Sequence, residues 1–174
     1  MAQVRFIADL HFYHENCAKH RGFKDANEMN ELIVSNWNKV VHKKDVTYIV
    51  GDITMEKSNY GILDRLNGIK HVILGNHDKK QHVKKLLEHV NTVAGAMGYK
   101  KKFMVTHIPI HPNELRYRFS INIHGHVHTK TIMAYRWDYS KAEDTEIVNP
   151  NYCNVSADNI AYTPKTLAEL GLIK

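Results

Sequence analysis

Short apolar runs rich in branched residues punctuate the first two thirds of the chain, at Val4 to Ala8, Val46 to Val50, His71 to Leu74 and Phe103 to Thr106. Each has the length of a strand buried on both faces. Between them the apolar period changes. Met29, Leu32, Ile33, Trp37, Val40 and Val41 recur at spacings of three and four, which predicts an amphipathic helix from Asn27 onward. Ser58 is the predicted cap of a second helix carrying Ile62, Leu63 and Leu66, and a third is predicted from Lys79 to about His89. Strand and helix in alternation predict strands enclosed between helical layers. Beyond them, predicted strands at Ile121 to His124, Thr131 to Tyr135 and Tyr152 to Ser156 have few helical patterns between them, so antiparallel pairing is expected there. Residues 138 to 151 are polar and turn-rich and read as a surface loop. Thr163-Pro164 followed by Leu167, Leu170 and Gly171 reads as a short terminal helix.

The polar residues that follow these strands carry the chemistry. The first strand runs into Asp9-Leu-His11, the second into Gly51-Asp52, the third into Gly75-Asn76-His77-Asp78 and the fourth into Thr106-His107. In open α/β sheets the ligand site lies outside the carboxyl ends of the strands, so these clusters should converge. Asp9 and His11, two apart, project to the same side if the segment is extended. Gly125-His126-Val127-His128 repeats that spacing with two imidazoles. Asp9, His11, Asp52, Asn76, His107, His126 and His128 make a donor set of nitrogen and oxygen without thiolate. It exceeds what one four-coordinate ion requires, so two ions sharing a carboxylate are expected. Such a set suits Mn, Fe, Zn, Co or Ni alike.

Composition sharpens this reading. The 174 residues include 13 histidines, and imidazole is both the commonest metal ligand and the usual acid or base near neutral pH. Only Cys17 and Cys153 occur, too few for a disulfide framework or a thiolate zinc site, so a reducing cytoplasmic compartment is expected. No repeat or long Pro/Gly/Ser linker divides the chain, and residues 1–174 read as one domain. No apolar stretch near the N-terminus has the length of a signal peptide or membrane span, so no membrane association is expected. The net charge of +6 favours phosphate-bearing partners or simply solubility.

The ordered series Asp9-x-His11, Gly51-Asp52, Gly75-Asn76-His77-Asp78, His107 and Gly125-His126-x-His128 resembles the motif set of the calcineurin-like metallophosphoesterases. That resemblance implies an α/β fold, a four-layer αββα sandwich of two mixed sheets flanked by helices, with a dinuclear centre at one edge. It implies that Asp9, His11, Asp52 and His128 hold one ion and Asp52, Asn76, His107 and His126 the other, with Asp52 as the bridge. His77 would face the substrate phosphate as general acid. Two divalent transition ions are the expected cofactors, manganese foremost. Ile53-Thr54-Met55 after Asp52, and Asp at position 78, depart from the Ser/Thr protein phosphatases and look more like compact prokaryotic and phage phosphodiesterases.

The expected substrate is therefore a small phosphodiester or pyrophosphate of nucleotide type, cyclic nucleotides included, with His14, Arg21, Asn76 and His77 as candidate substrate contacts. Nucleic acid is a less favoured partner, because no aromatic-basic track accompanies the site. A nuclease, a phosphomonoesterase and a metal-binding scaffold without turnover are the alternatives. His111 reads as a loop residue or a support to the ligands, His124 as support for His126, and the lysine groups as solvated faces, of which Lys79 and Lys80 alone follow the motif closely enough to frame an anionic substrate.

Overall fold

The computed structural model describes residues 2–55 and 59–173. Its strands, in chain order, are β1 (Val4–Ile7), β2 (Val46–Ile49), β3 (Ile69–Ile73), β4 (Thr92–Ala94), β5 (Ala96–Tyr99), β6 (Phe103–Thr106), β7 (Ile121–His124), β8 (Met133–Asp138), β9 (Glu143–Val148), β10 (Tyr152–Asn154) and β11 (Lys165–Thr166). The helices are α1 (Glu15–His20), α2 (Ala26–Val40) and α3 (Val83–Leu86). The architecture is mixed α/β and rich in sheet. A five-stranded sheet has the order β11-β1-β2-β3-β4 and a four-stranded sheet the order β10-β7-β6-β5, while β8 and β9 form a separate ribbon.

The apolar runs become parallel strands because strands buried on both faces need crossovers that cover them. β1 pairs in parallel with β2, β2 with β3 and β3 with β4; Phe6 stands beside Tyr48. α2 is capped by Asp25, whose carboxylate accepts from Glu28 N at 2.8 Å, while the Glu28 carboxylate reaches back to Lys24 N at 2.7 Å. Its buried stripe of Met29, Ile33, Val34 and Trp37 belongs to the core, and the Trp37 indole donates to Asn67 O at 2.9 Å. The two sheets meet through aromatic rings. Phe6 stacks on Tyr48 at 5.4 Å between centroids, and Tyr99 from the other sheet stands edge-on to Phe6 at 5.5 Å.

Several expectations are corrected. β6 pairs with β7, and β7 with β10, in parallel, so among the described residues antiparallel pairing in the second half is confined to β5–β6, the β8–β9 ribbon and the short edge pairing of β11 with β1. Residues 138 to 151 are not one loop, since β9 and the end of β8 occupy half of them. The predicted terminal helix is absent: Lys165 and Thr166 pair with Phe6 and Arg5 as an antiparallel edge strand. The helix predicted around Ile62 is a 3₁₀ segment, Gly61–Arg65, and its predicted cap Ser58 lies outside the described residues. The helix predicted from Lys79 to His89 shrinks to a 3₁₀ turn, Lys80–His82, and α3. From β5 to residue 173 no α-helix occurs among the described residues, so loops and 3₁₀ turns connect the strands of the second sheet. No helix among the described residues is long and apolar enough to cross a membrane.

The carboxyl ends of β1 and β2 are tied together by the chain itself. Asp9 N donates to Gly51 O and His11 N to Asp52 O, both at 3.0 Å. Ala8 N donates to Val155 O at 2.8 Å, and Gly125 N to His107 O at 3.0 Å, which brings the strand ends of the second sheet to the same edge.

Candidate metal centre

At that edge the backbone turns abruptly. Asp9, His11, Asp52, His126 and His128 have φ of 55°, 47°, 56°, 71° and 53°. The left-handed region costs a residue with a Cβ roughly 1–2 kcal/mol, and Asp, His and Asn tolerate it best. Five of the seven predicted ligands share it, so the surrounding structure must hold them there. Asp9 and His11 therefore converge through two tight kinks and not, as their spacing suggested, through an extended segment.

Two glycines let the strand ends close in. Gly51 has φ +85°, and a Cβ there would lie 2.5 Å from His107 Nδ1. A Cβ on Gly75 would run into Asp52, 2.5 Å from its backbone nitrogen.

Asp9, His11, Asp52 and His107 are all buried. Asp9 Oδ2 accepts from His126 N at 2.9 Å. Asp9 Oδ1 lies 3.9 Å from His11 Nε2, and Asp52 Oδ2 lies 3.8 Å from the same nitrogen and 3.3 Å from His107 Nε2. Asn76 Oδ1 is 2.9 Å from both His107 Nε2 and His126 Nδ1. His107 Nδ1 stands 2.8 Å from Val50 O, a carbonyl that can only accept, so this nitrogen carries the proton. His107 Nε2 then faces two oxygens and needs a cation or a second proton between them.

Asp9, His11 and His128 can place one donor atom each within 4.8 Å of the others, and so can Asp9, Asp52 and His107. Asp9 belongs to both groups, whereas the resemblance makes Asp52 the shared ligand; Asp52 Oδ2 also spans the gap between His11 and His107. Asn76 and His126 join the second group through Asn76 Oδ1. His77 donates its backbone N–H to Asp52 Oδ1 at 3.0 Å, with its side chain 44% exposed and Nε2 3.9 Å from Asp52 Oδ2. All eight residues predicted as ligands or acid are thus at one place.

Burial sets the electrostatics. It pushes the Asp9 carboxyl above its ordinary range and the His11 imidazole down to about 3, which keeps His11 neutral and its lone pairs available. Burial also acts on Asp52 and His107, but their mutual hydrogen bond and charge outweigh it, lowering Asp52 and raising His107. Asp9 Oδ1 and both nitrogens of His11 are buried without a hydrogen-bond partner among the described residues. Buried polar atoms are rarely left so, which is the fit expected of a cation site.

Two residues not predicted as contributors complete the arrangement. Asp158, in the 3₁₀ turn Ala157–Asn159, binds His128 Nδ1 at 3.0 Å and Arg21 Nε at 3.2 Å. Asp78 accepts from Asp52 N and Gly75 N at 2.8 Å and from Ile53 N at 3.1 Å, locking the turns after β2 and β3 together. Nothing in the sequence near Asp158 signals its role, whereas Asp78 lies inside the Gly75-Asn76-His77-Asp78 series.

The predicted substrate contacts separate. Asn76 and His77 stand at the site. Arg21 lines the adjoining cavity, but its side chain is 2% exposed and engaged with Asp158 and with Asp9 O at 2.8 Å. His14 caps α1 by accepting from Cys17 N, and its ring centre lies 5.8 Å from that of His11. His124 points into the core, with Nδ1 2.9 Å from Gly125 O. His111 caps the 3₁₀ turn Pro112–Leu115. The cavity measures about 850 Å³ and is lined by His11, His14, His77, His126 and His128, with Asn16, His20, Lys130 and Tyr162 farther out. That volume suits a ligand of nucleotide size.

No family model matches the chain. It is similar over most of its length to a solved structure described as a protein of unknown function, AQ665 from Aquifex aeolicus, with a TM-score of 0.69, 24% identity and 98% of each chain covered. The gene 66 protein of Mycobacterium phage L5 is 28% identical across 77% of this chain and 81% of its own. The uncharacterized protein MJ1445 of Methanocaldococcus jannaschii is 34% identical across 96% of this chain and 88% of its own. The TM-score carries the likeness in fold, and the identity and mutual coverage carry the kinship: the chain belongs to the same family as protein MJ1445 of Methanocaldococcus jannaschii.

Proposed function

We propose that the chain is a dinuclear metal-dependent phosphoesterase of the calcineurin-like type, acting on phosphodiester or pyrophosphate bonds of small nucleotide-type substrates. The observation that carries this reading is the cluster of buried, unpartnered donors, Asp9 Oδ1 and both nitrogens of His11, beside His107 Nε2 facing two oxygens. In this reading the mixed α/β fold is a variant of the αββα sandwich whose second sheet is covered by loops.

Asp9, His11, Asp52 and His128 would hold one divalent ion, and Asp52, Asn76, His107 and His126 the other. Such ions, when bound, draw charge from phosphate oxygens and make water acidic enough to supply hydroxide near neutral pH. The protein does the rest. Asp158 fixes the His128 ring through Nδ1, and Val50 O does so for His107. In this reading His77, half open to the cavity and anchored through its backbone to Asp52, would face the departing oxygen and give it a proton. His14 lines the same cavity and would add a donor toward the phosphate.

The test is hydrolysis by chelator-stripped protein before and after reconstitution with Mn²⁺, across cyclic nucleotides, dinucleotides, ADP-ribose-like pyrophosphates, monoesters and single-stranded DNA. Activity should vanish on stripping and return with metal, with more than one ion bound per chain by elemental analysis. Fewer than one ion per reconstituted chain refutes the dinuclear reading. A steep fall of activity with salt would point to polynucleotide substrates.

A further inference from the structure

The β8–β9 ribbon has no third strand among the described residues. Its register sets Met133 opposite Val148, Tyr135 opposite Glu146 and Trp137 opposite Asp144, so alternation places these six side chains on one face. The apolar ones are open: Met133 is 42% exposed, Val148 61%, Tyr135 74% and Trp137 49%. Among the described residues, side-chain hydrogen bonds within 133–148 do not leave the ribbon, and consist of Ser140 with Asp138. A two-stranded ribbon in water is marginally stable alone, and a contiguous exposed row containing Tyr, Trp and Met is typical of an interface.

Charge identifies the partner. Residues 133–148 carry Asp138, Glu143, Asp144 and Glu146 against Arg136 and Lys141, a net charge of −2 within a chain of +6, which leaves +8 on the remainder. Part of that excess gathers at the rim of the four-stranded sheet. Lys100, Lys101 and Lys102 form the turn between β5 and β6, and Ser120 N donates to Lys102 O at 2.8 Å, so the loop bearing Arg116 and Arg118 runs alongside. Tyr117, between those arginines, is 94% exposed. No ion pair joins ribbon to patch within one chain among the described residues.

We propose that the chain forms a two-fold dimer in which the acidic, aromatic ribbon of each copy seats on the Lys100–Lys102 and Arg116–Arg118 patch of the other. Each copy supplies one ribbon and one patch, and the proposed two-fold axis makes the two contacts equivalent and closes the assembly at two copies. The apolar row is then covered, and its acidic neighbours Asp144 and Glu146 meet cations in place of water. This assembly is independent of the metal chemistry.

Sedimentation velocity on the full chain tests it. A dimer is expected at low salt and micromolar concentration, loosening as salt rises. Lys101→Glu with Arg118→Glu, and separately Asp144→Lys with Glu146→Lys, should each weaken self-association by about tenfold or more, since like charges are set against each other. Mixing the two variants pairs each reversed ribbon with a reversed patch and should restore a heterodimer. Trp137→Ser, which alters no charge, should also weaken the dimer while circular dichroism shows the chain folded. A wild-type monomer at 100-fold higher concentration, dimers indifferent to both reversals, or a mixture that stays monomeric would each overturn the proposal. If the patch captures single-stranded DNA while the protein stays monomeric, the patch serves nucleic acid and the dimer is wrong.

Discussion

Asp158→Asn tests the support beneath the metal centre. Asp158 is bonded at once to His128 Nδ1 at 3.0 Å and to Arg21 Nε at 3.2 Å, and Arg21 in turn holds Asp9 O at 2.8 Å. One carboxylate therefore orients a predicted ligand and, through Arg21, steadies the left-handed turn at another. Asparagine keeps an acceptor of the same shape but removes the charge. A hydrogen bond to a charged group contributes about 1.5–3 kcal/mol, and loss of a residue supporting a ligand typically weakens metal affinity about 10–100-fold, which is roughly 1.4–2.7 kcal/mol. The two routes agree. Mn²⁺ affinity, measured by competition with a fluorescent chelator, should fall by at least about tenfold in the variant. Far-ultraviolet circular dichroism should stay native. Asp158→Ala should cost more, about 3–5 kcal/mol of folding stability, because it leaves the buried Arg21 guanidinium without its acid. Mn²⁺ affinity within twofold of wild type in a folded Asp158→Asn protein would refute the positioning role, and absence of Mn²⁺ binding in the wild type would refute the metal site itself.

His77→Asn should leave metal content unchanged while slowing a nucleotide ester with an alkoxide leaving group by roughly 10²–10⁴, and a nitrophenyl ester far less; equal losses on both would show that His77 only orients the phosphate. Asp45 offers a test of stability remote from the site. Its carboxylate accepts from Gln3 N at 2.7 Å and His42 N at 2.8 Å, and these bonds hold it below the ordinary aspartate value of 3.8. A depressed folded pKa means that the stabilisation is complete well above 3.8 and disappears as pH falls through and below that value. Asp45→Asn should lower stability by about 1–3 kcal/mol in urea melts at pH 7, and the gap to wild type should narrow at pH 3. A gap of equal size at both values would contradict the assignment.

The local pattern was informative wherever local forces decide. β1, β2, β6 and β7 fall on the predicted apolar runs to within a residue, and α2 on its stripe, because a strand or helix that buries a whole face writes that face into its own composition. The predicted ligands were legible for a related reason: chemistry needs those residue types, and they follow the strands in order. The strand predicted at Thr131 to Tyr135 overlaps β8, but the end of β8 and all of β9 were read as loop, because residues 138 to 148 set acids and Lys141 among few apolar positions, a pattern that matches no buried face. The terminal segment was misread because Leu167 and Leu170 mimic a helical stripe, while a free edge beside β1 offered Lys165 and Thr166 hydrogen bonds that a helix starting after Pro164 does not match. The parallel pairing of β7 with β10 depends on which edge is open once β6 has taken the other, which no window of sequence contains.

By itself, then, the sequence determined the donor atoms and the ends of the strands that carry them. The tertiary structure decided their geometry. Left-handed backbone at Asp9, His11, Asp52, His126 and His128 is unfavourable locally and exists only because Gly51, Gly75 and the hydrogen bonds of Asp78 hold neighbouring strand ends together. Asp158 meets His128 across 30 residues and Arg21 across 137. Contacts so distant arise from packing of the whole chain, and the free energy that holds them belongs to the fold and not to any segment of it.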